Sequence, residues 1–156
     1  MISINTISDN KLWNKKIIKS NNFFNKLIKI FPKRYQFKKK KVNLSVLLSN
    51  NKNMKKLNKK FRNKNKSTDV LSFPFEKRPF LKKEIYLGDI IISYEFMNRP
   101  KFLTNIQFKE KLIKTFIHGF LHLMNYDHIK MKDFQKMHKE ENKIYNLINK
   151  NFEKLV

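Results

Sequence analysis

Residues 115–128 read TFIHGFLHLMNYDH and hold three of the chain's four histidines, His118, His122 and His128. The first two are four positions apart, so on a helix their side chains lie one turn apart on the same face. Two imidazoles at that spacing can hold one metal ion. His128 follows closely enough to add a third nitrogen. The competing interpretation is that all three are ordinary histidines with no shared ligand.

The residues around the histidines predict a helix that ends in a tight turn. In a helical projection at about 100° per residue, six apolar residues form one stripe: Ile113, Phe116, Ile117, Phe120, Leu121 and Met124. His118 and His122 both lie on the flank of that stripe. Asn125 stands where the helix must end, and asparagine tolerates the left-handed conformation better than most residues. We therefore expect His128 to turn back towards the pair. Three protein ligands with an open position are typical of catalytic zinc sites.

Outside this stretch, the apolar pattern predicts strands and then a second long helix. Alternating residues favour strands at Ile2–Asn5, Val42–Leu48, Asp69–Phe75 and Ile85–Ile92, with Pro74 placing the third at a sheet edge. Helical spacing predicts helices at Leu12–Phe31, Asn51–Lys60, Asn105–Met124 and Lys132–Lys150, a helical turn at Glu95–Arg99, and a charged loop at Glu76–Lys83. In the Asn51–Lys60 helix, Met54, Leu57 and the following Phe61 are expected to point inward. The order predicts an α+β fold, a small mixed sheet packed by helices, in one domain over residues 1–156.

Composition excludes several classes of site. The chain has 156 residues and no cysteine, which excludes disulfides, thiolate zinc sites and a cysteine nucleophile. No apolar run reaches the roughly 18–20 residues of a membrane span. The N-terminal residues show no signal-peptide pattern, so we expect a cytoplasmic protein without a membrane partner.

The net charge of +24 is unevenly distributed along the chain. Residues 1–68 hold 20 basic residues and a single acid, Asp9, whereas residues 69–156 hold 16 basic and 11 acidic residues. The 32 lysines against 4 arginines, with no alanine, are also what an AT-rich genome produces by codon drift. Drift acts evenly, however, so the asymmetry favours an N-terminal surface that contacts phosphates. Tyr35, Phe37 and Phe61 are candidates for stacking on bases there, or else core residues.

The histidine stretch closely resembles the H-G-x-L-H-L-x-G-Y-D-H signature of the YbeY family of bacterial rRNA maturation factors. Two further stretches agree with that family in order and spacing. Residues 57–75, LNKKFRNKNKSTDVLSFPF, resemble L-N-x-x-(Y/F)-R-x-K-(D/N)-x-x-T-(D/N)-V-L-S-F-P-F, and residues 87–92, LGDIII, resemble L-G-D-I-x-I. One departure is Asn125, which replaces the glycine of the signature.

The resemblance implies a zincin-like α+β domain with one Zn²⁺ held by His118, His122 and His128. It implies a single-strand-specific endoribonuclease for 16S rRNA 3′-end maturation and ribosome quality control, which works on rRNA and the small ribosomal subunit. It also implies a role near the metal for Arg62. From the ligand set alone, nickel, cobalt and iron fit three nitrogens as well.

The chemistry agrees with such an activity. A divalent ion on three histidines would lower the pKa of water and polarise a phosphoryl oxygen, and a guanidinium such as that of Arg62 stabilises charge developing on a phosphate. Arg62 can also be a positioning or structural arginine. Gly119 replaces the glutamate that serves as base in H-E-x-x-H proteases, which argues against peptide hydrolysis and leaves the general base unassigned.

Three further residues and the function itself each have more than one interpretation. Asp127 either orients a histidine ring or caps the turn, and Asp69 and Ser72 are interpreted first as edge-strand structure. Two alternatives to the endoribonuclease are a ribosome-assembly factor with a structural metal and another metal-dependent hydrolase. The sequence does not predict the oligomeric state.

Overall fold

The centre of the computed structural model, which describes residues 1–75 and 82–155, is a four-stranded sheet. Its strands are β1 (Ile2–Ser8), β2 (Lys41–Ser49), β3 (Val70–Pro74) and β4 (Glu84–Ser93), in the order β1-β2-β4-β3. β1, β2 and β4 are mutually parallel, and β3 pairs antiparallel with β4. The predicted mixed sheet is confirmed, and β3 lies at its edge, where Pro74 costs no ladder hydrogen bond.

Within the described residues, six helices pack around the sheet: α1 (Leu12–Lys16), α2 (Ser20–Ile30), α3 (Asn51–Arg62), α4 (Tyr94–Met97), α5 (Asn105–Leu123) and α6 (Met131–Asn149). Short 3₁₀ turns lie at Lys33–Tyr35 and Phe152–Lys154. None of the helices in the described part of the chain is long and apolar enough to cross a membrane. Most of the predicted charged loop, residues 76–81, lies outside the described residues.

The predicted helix from Leu12 to Phe31 is wrong as one element, because the chain breaks between α1 and α2. Ile17 is extended, and Lys19 adopts a left-handed conformation with φ of 54°. The break allows Trp13 and Phe24, on different helices, both to reach the core. Ile18, counted in the helical pattern, is instead 81% exposed.

The main core lies on one face of the sheet. Alternate residues of β2, namely Val42, Leu44, Val46 and Leu48, are fully buried there, as period-two alternation requires. Aromatic rings of α5 pack over this layer against rings from α2 and the residue after it; Phe31, directly after α2, meets Phe120 edge to face with centroids 5.1 Å apart. α3 packs on a second, smaller cluster through Met54, with Leu57 partly buried.

Phe61 differs from its predicted environment, whereas Tyr35 and Phe37 take the core alternative that the sequence left open. Phe61 was expected to point inward, but its side chain is 59% exposed, with an edge contact to Phe73. Tyr35 is only 1% exposed, so it cannot stack on a base. Phe37 is partly buried against the main core.

Tyr35 anchors the segment before β2 to α6. Its hydroxyl donates to Glu140 Oε1 at 2.6 Å, and Arg34 approaches the same carboxylate oxygen at 3.6 Å. Burial, and then the hydrogen bond to Glu140, raise the pKa of Tyr35, so the phenol stays protonated. Arg34 also donates to the hydroxyl of Tyr126 at 2.9 Å, which ties this turn to the loop after α5.

Removing the Tyr35 hydroxyl tests this anchor. Tyr35→Phe is expected to lower the free energy of unfolding by about 1–3 kcal/mol, because the buried Glu140 carboxylate loses its closest donor. Urea unfolding measures the change. Tyr145→Phe is the matched control, since its ring contacts Lys114 near the surface and the change keeps that ring; equal losses in the two variants would contradict the anchoring role.

Candidate metal centre

The helix that carries the histidine pair begins with a capping box. The Thr104 hydroxyl accepts from the backbone N–H of Gln107 at 3.1 Å, and the Gln107 side chain accepts from the Thr104 N–H at 3.0 Å. Five of the six predicted stripe residues are buried at 1% exposure or less: Ile113, Phe116, Ile117, Phe120 and Leu121. His118 and His122 lie half-buried on the flank of that stripe, as the helical projection predicts.

α5 ends in a left-handed turn at Asn125, as predicted, with φ of 69°. Two hydrogen bonds close the turn: Tyr126 N donates to Leu121 O at 2.9 Å, and Asn125 N donates to His122 O at 3.0 Å. This pairing is a Schellman motif, which satisfies carbonyls that the helix end would leave free. The reversal carries His128 back towards His118 and His122.

The structure brings these three histidines together. Their ligand atoms all lie within 4.8 Å of one another, and Nε2 of His118 is 3.1 Å from Nε2 of His122. Tetrahedral zinc with nitrogen at about 2.0–2.1 Å separates its ligands by roughly 3.3 Å. The donor set and its spacing therefore fit a divalent ion such as zinc, with His128 exposed on the open side.

Hydrogen bonds on the other ring nitrogens orient two of the imidazoles. His118 Nδ1 lies 2.9 Å from Glu141 Oε1, and His122 Nδ1 lies 3.0 Å from the carbonyl oxygen of Tyr126. When Nδ1–H donates, each ring directs its Nε2 lone pair towards the point where the three histidine side chains converge. Carboxylates and backbone carbonyls fix the tautomer of metal-binding histidines in this way. The sequence analysis missed Glu141, because no spacing in the chain links α6 to His118.

Asp127 caps the turn that precedes His128. Its side chain accepts from the backbone N–H of His128 at 2.7 Å. Of the two roles considered for Asp127, the contacts show the cap, whereas the carboxylate on a histidine ring belongs to Glu141. Asp127 thus fixes the backbone from which His128 projects.

The protonation of His122 suits metal binding. Burial, and then the nearby His118 and His128, lower its pKa from the ordinary value. The imidazole is therefore neutral at neutral pH. Metal ligation requires the neutral form, since a protonated ring has no free lone pair.

The histidines open into a cleft of about 590 Å³. Its walls come from the end of α3, from β3 and from the loop after α5, and they include Arg62, Lys64, Thr68, Asp69, Ser72, Pro74, Asp127 and Ile129. Arg62, the predicted arginine, therefore shares the cleft with the histidines. Its guanidinium donates to the backbone oxygen of Ser72 at 3.4 Å, a long hydrogen bond that uses one of its several N–H donors.

β3 forms the opposite wall through close contact with α5. The Ser72 hydroxyl donates to the carbonyl of Gly119 at 3.0 Å, and Asp69 accepts from Val70 N at 2.8 Å. These contacts agree with the structural interpretation of Asp69 and Ser72. A Cβ on Gly119 would lie 3.0 Å from both Ser72 Oγ and Ile90 Cγ2, so this position has little room for a side chain such as the base of H-E-x-x-H proteases.

Comparison with known proteins identifies relatives over most of the chain. Residues 6–149 match the family model described as Endoribonuclease YbeY. A Pelagibacter ubique protein named Endoribonuclease YbeY is 63% identical over 148 residues, covering 95% of this chain and 97% of that protein. A protein of the same name from Ehrlichia canis is 37% identical, covering 82% of this chain and 80% of its own length.

A solved structure shares the fold. The solution structure of a Thermotoga maritima protein superimposes with a TM-score of 0.56 at 26% sequence identity. The alignment covers 98% of this chain and 92% of the other. The predicted architecture therefore agrees both with the sheet described above and with an experimental relative.

The turn at Asn125 can be tested by substitution. Asn125→Ala is expected to lower the free energy of unfolding by about 1 kcal/mol, because a Cβ without a compensating side chain disfavours positive φ. Asn125→Gly, the matched control, should be neutral or slightly stabilising in the same thermal unfolding experiment. Equal stability of the alanine variant and the wild type would show that the left-handed conformation does not limit this turn.

Proposed function

Since the chain belongs to the YbeY family of endoribonucleases, we propose that it cleaves single-stranded RNA at the centre formed by His118, His122 and His128. Because it belongs to this family, the chain is a hydrolytic nuclease. The observation that supports the site is the convergence of three imidazoles with Arg62 in one cleft. We propose that the chain works as one domain over residues 1–156.

The donor set favours one zinc ion per chain. Bound there, the ion would supply Lewis acidity and a water of lowered pKa. His118, His122 and His128 would hold it, and Glu141 and the carbonyl of Tyr126 would keep two of the rings aligned. Nickel, cobalt and iron have the same preference for imidazole, so the metal content of the purified protein decides between them.

Arg62 is proposed to stabilise the phosphate during cleavage. Among the described residues, its guanidinium makes one long hydrogen bond, to Ser72, so its planar fork can form two parallel hydrogen bonds to phosphate oxygens. Lys64, on the same wall, adds a second positive charge for the backbone.

The substrate proposed is ribosomal RNA, with the small ribosomal subunit as its context and the cytoplasm as its compartment. The family resemblance supports this choice, and so does the excess of basic residues over residues 1–68, which supplies Arg62 and Lys64 to the cleft. Peptide hydrolysis is disfavoured by Gly119, which leaves little room for a catalytic glutamate.

Removing one histidine tests the centre directly. Wild-type protein and His122→Ala, purified identically without a tag, are incubated with a labelled single-stranded RNA at moderate salt. Only the wild type is expected to cut, and metal analysis should find about one ion per wild-type chain and far less in the variant.

Other results of this experiment have distinct meanings. Equal cutting by both proteins would attribute the activity to a contaminating ribonuclease. Binding of RNA by both proteins without cutting would instead favour an assembly factor whose metal is structural. Circular dichroism of the variant shows whether it is folded.

The role of Arg62 can be separated from simple charge. Arg62→Lys is expected to lower kcat by about 10²–10³, with KM changed only a few-fold, because lysine lacks the bidentate fork. Arg99→Lys is the matched control, since Arg99 lies over the ring of Phe96 at 4.7 Å between α4 and α5. Near-normal kcat in Arg62→Lys would make Arg62 a positioning charge.

A further inference from the structure

Three large apolar side chains are exposed next to His128. Ile129 is 84% exposed, Met131 71% and Phe134 48%, all within six residues at the start of α6. Burying such groups is favourable, so a cluster of them on a surface indicates a contact with another molecule. We call Ile129, Met131 and Phe134 the apolar rim.

The apolar rim is continuous with the metal cleft. Ile129 lines that cleft together with all three histidines. Phe134 lines a smaller adjoining cavity of about 90 Å³, whose walls also include His118, His128 and Glu141. A molecule bound at the metal centre can therefore extend directly onto the apolar rim and contact it.

The Phe134 ring has an aromatic neighbour on α6. It stacks parallel to the ring of His138, with centroids 5.8 Å apart and an angle of 5° between the planes. His138 is in turn 3.2 Å from the side-chain nitrogen of Asn142, one helical turn later. An exposed aromatic ring beside a second aromatic ring offers a flat surface on which a planar group can stack.

The charges around the rim favour an anionic partner. Lys130, Lys132 and Lys136 are exposed among the apolar residues, and the half-buried Asp133 is the acid in the same stretch. Apolar or aromatic groups interleaved with lysines match unstacked bases on a phosphate backbone. A duplex keeps its base faces inside the stack and cannot offer them to such a surface.

We propose that the apolar rim binds a nucleobase adjacent to the cleaved phosphodiester and so selects single-stranded RNA. Phe134 stacks on the base, while Ile129 and Met131 contact its edge and the sugar. This assignment rests on the proposed cleavage of RNA at the histidine centre. It adds a recognition site to that function, and none of the three rim residues takes part in the chemistry.

Binding of two uncut strands tests the rim separately from cleavage. The probes are a labelled twelve-residue oligodeoxythymidylate and an abasic tetrahydrofuran–phosphate strand of the same length and charge. Neither contains ribose, so a ribonuclease leaves both intact. Wild-type protein should bind the base-bearing strand more tightly than the abasic one, and Phe134→Ala should lose about tenfold in affinity for the base-bearing strand alone.

Two variants make the test specific. Phe134→Trp keeps an aromatic ring and should restore binding to within a few-fold of the wild type. Phe102→Ala removes another exposed ring, 96% exposed, before the start of α5. Because α5 rises about 1.5 Å per residue, its start at Asn105 lies roughly 20 Å from His118. Phe102 precedes that start and lines neither the metal cleft nor the adjoining cavity, so its removal should leave binding unchanged.

The outcomes separate this proposal from the proposed function. If Phe134→Ala binds both strands as the wild type does, the rim does not bind bases. A wild-type dimer that Phe134→Ala converts to monomer in sedimentation would also overturn the proposal, because the rim would then be an interface between copies. If the wild type does not cut RNA but still binds the base-bearing strand more tightly than the abasic one, and Phe134→Ala loses that preference, the cleavage proposal fails and base binding by the apolar rim is supported.

Discussion

The close approach of α5 to the sheet at Gly119 is the contact on which the site depends. With no side chain there, the helix backbone lies against Ser72 and Ile90, and the Ser72 hydroxyl bonds directly to the Gly119 carbonyl. This contact fixes both the rotation of α5 about its own axis and the distance of α5 from the sheet. Because His118 and His122 stand beside the buried stripe, that rotation directs both rings over the end of β3, where Arg62 and Pro74 form the facing wall.

Tyr126 makes the second set of contacts that position the centre. Its N–H closes the helix end on Leu121, its carbonyl bonds to His122, and its hydroxyl accepts from Arg34. One residue therefore joins the helix of the histidine pair, the turn that carries His128 and the segment before β2. Arg34 approaches Glu140, which also accepts from Tyr35, and Glu140 is the neighbour of Glu141 on α6. The loop is consequently held from several sides although much of it is exposed.

Local patterns were enough to predict the sheet, both long helices and the turn at Asn125. Each of these follows from residues close in sequence: alternation in β2, a stripe along α5, and a left-handed cap after it. Contacts between distant segments could not be predicted in this way. Lys19 breaks a helix without a glycine or proline to mark the position, and Tyr35 is buried only because α6 supplies Glu140. Glu141 reaches His118 across 23 positions, through the packing of α6 on α5.

The division of charge along the chain corresponds to a division of roles within the cleft. The half that carries the histidines contributes the three imidazoles, together with Glu141, which contacts the His118 ring, and Asp127, which caps the turn before His128. The strongly basic half contributes Arg62 and Lys64 from the end of α3 and the loop after it. Neutral rings are needed to hold a metal ion, whereas fixed cations are needed to attract and orient a polyanion. The contact between β3 and α5 joins the two halves of the chain, so that cations from one half and imidazoles from the other line a single cleft.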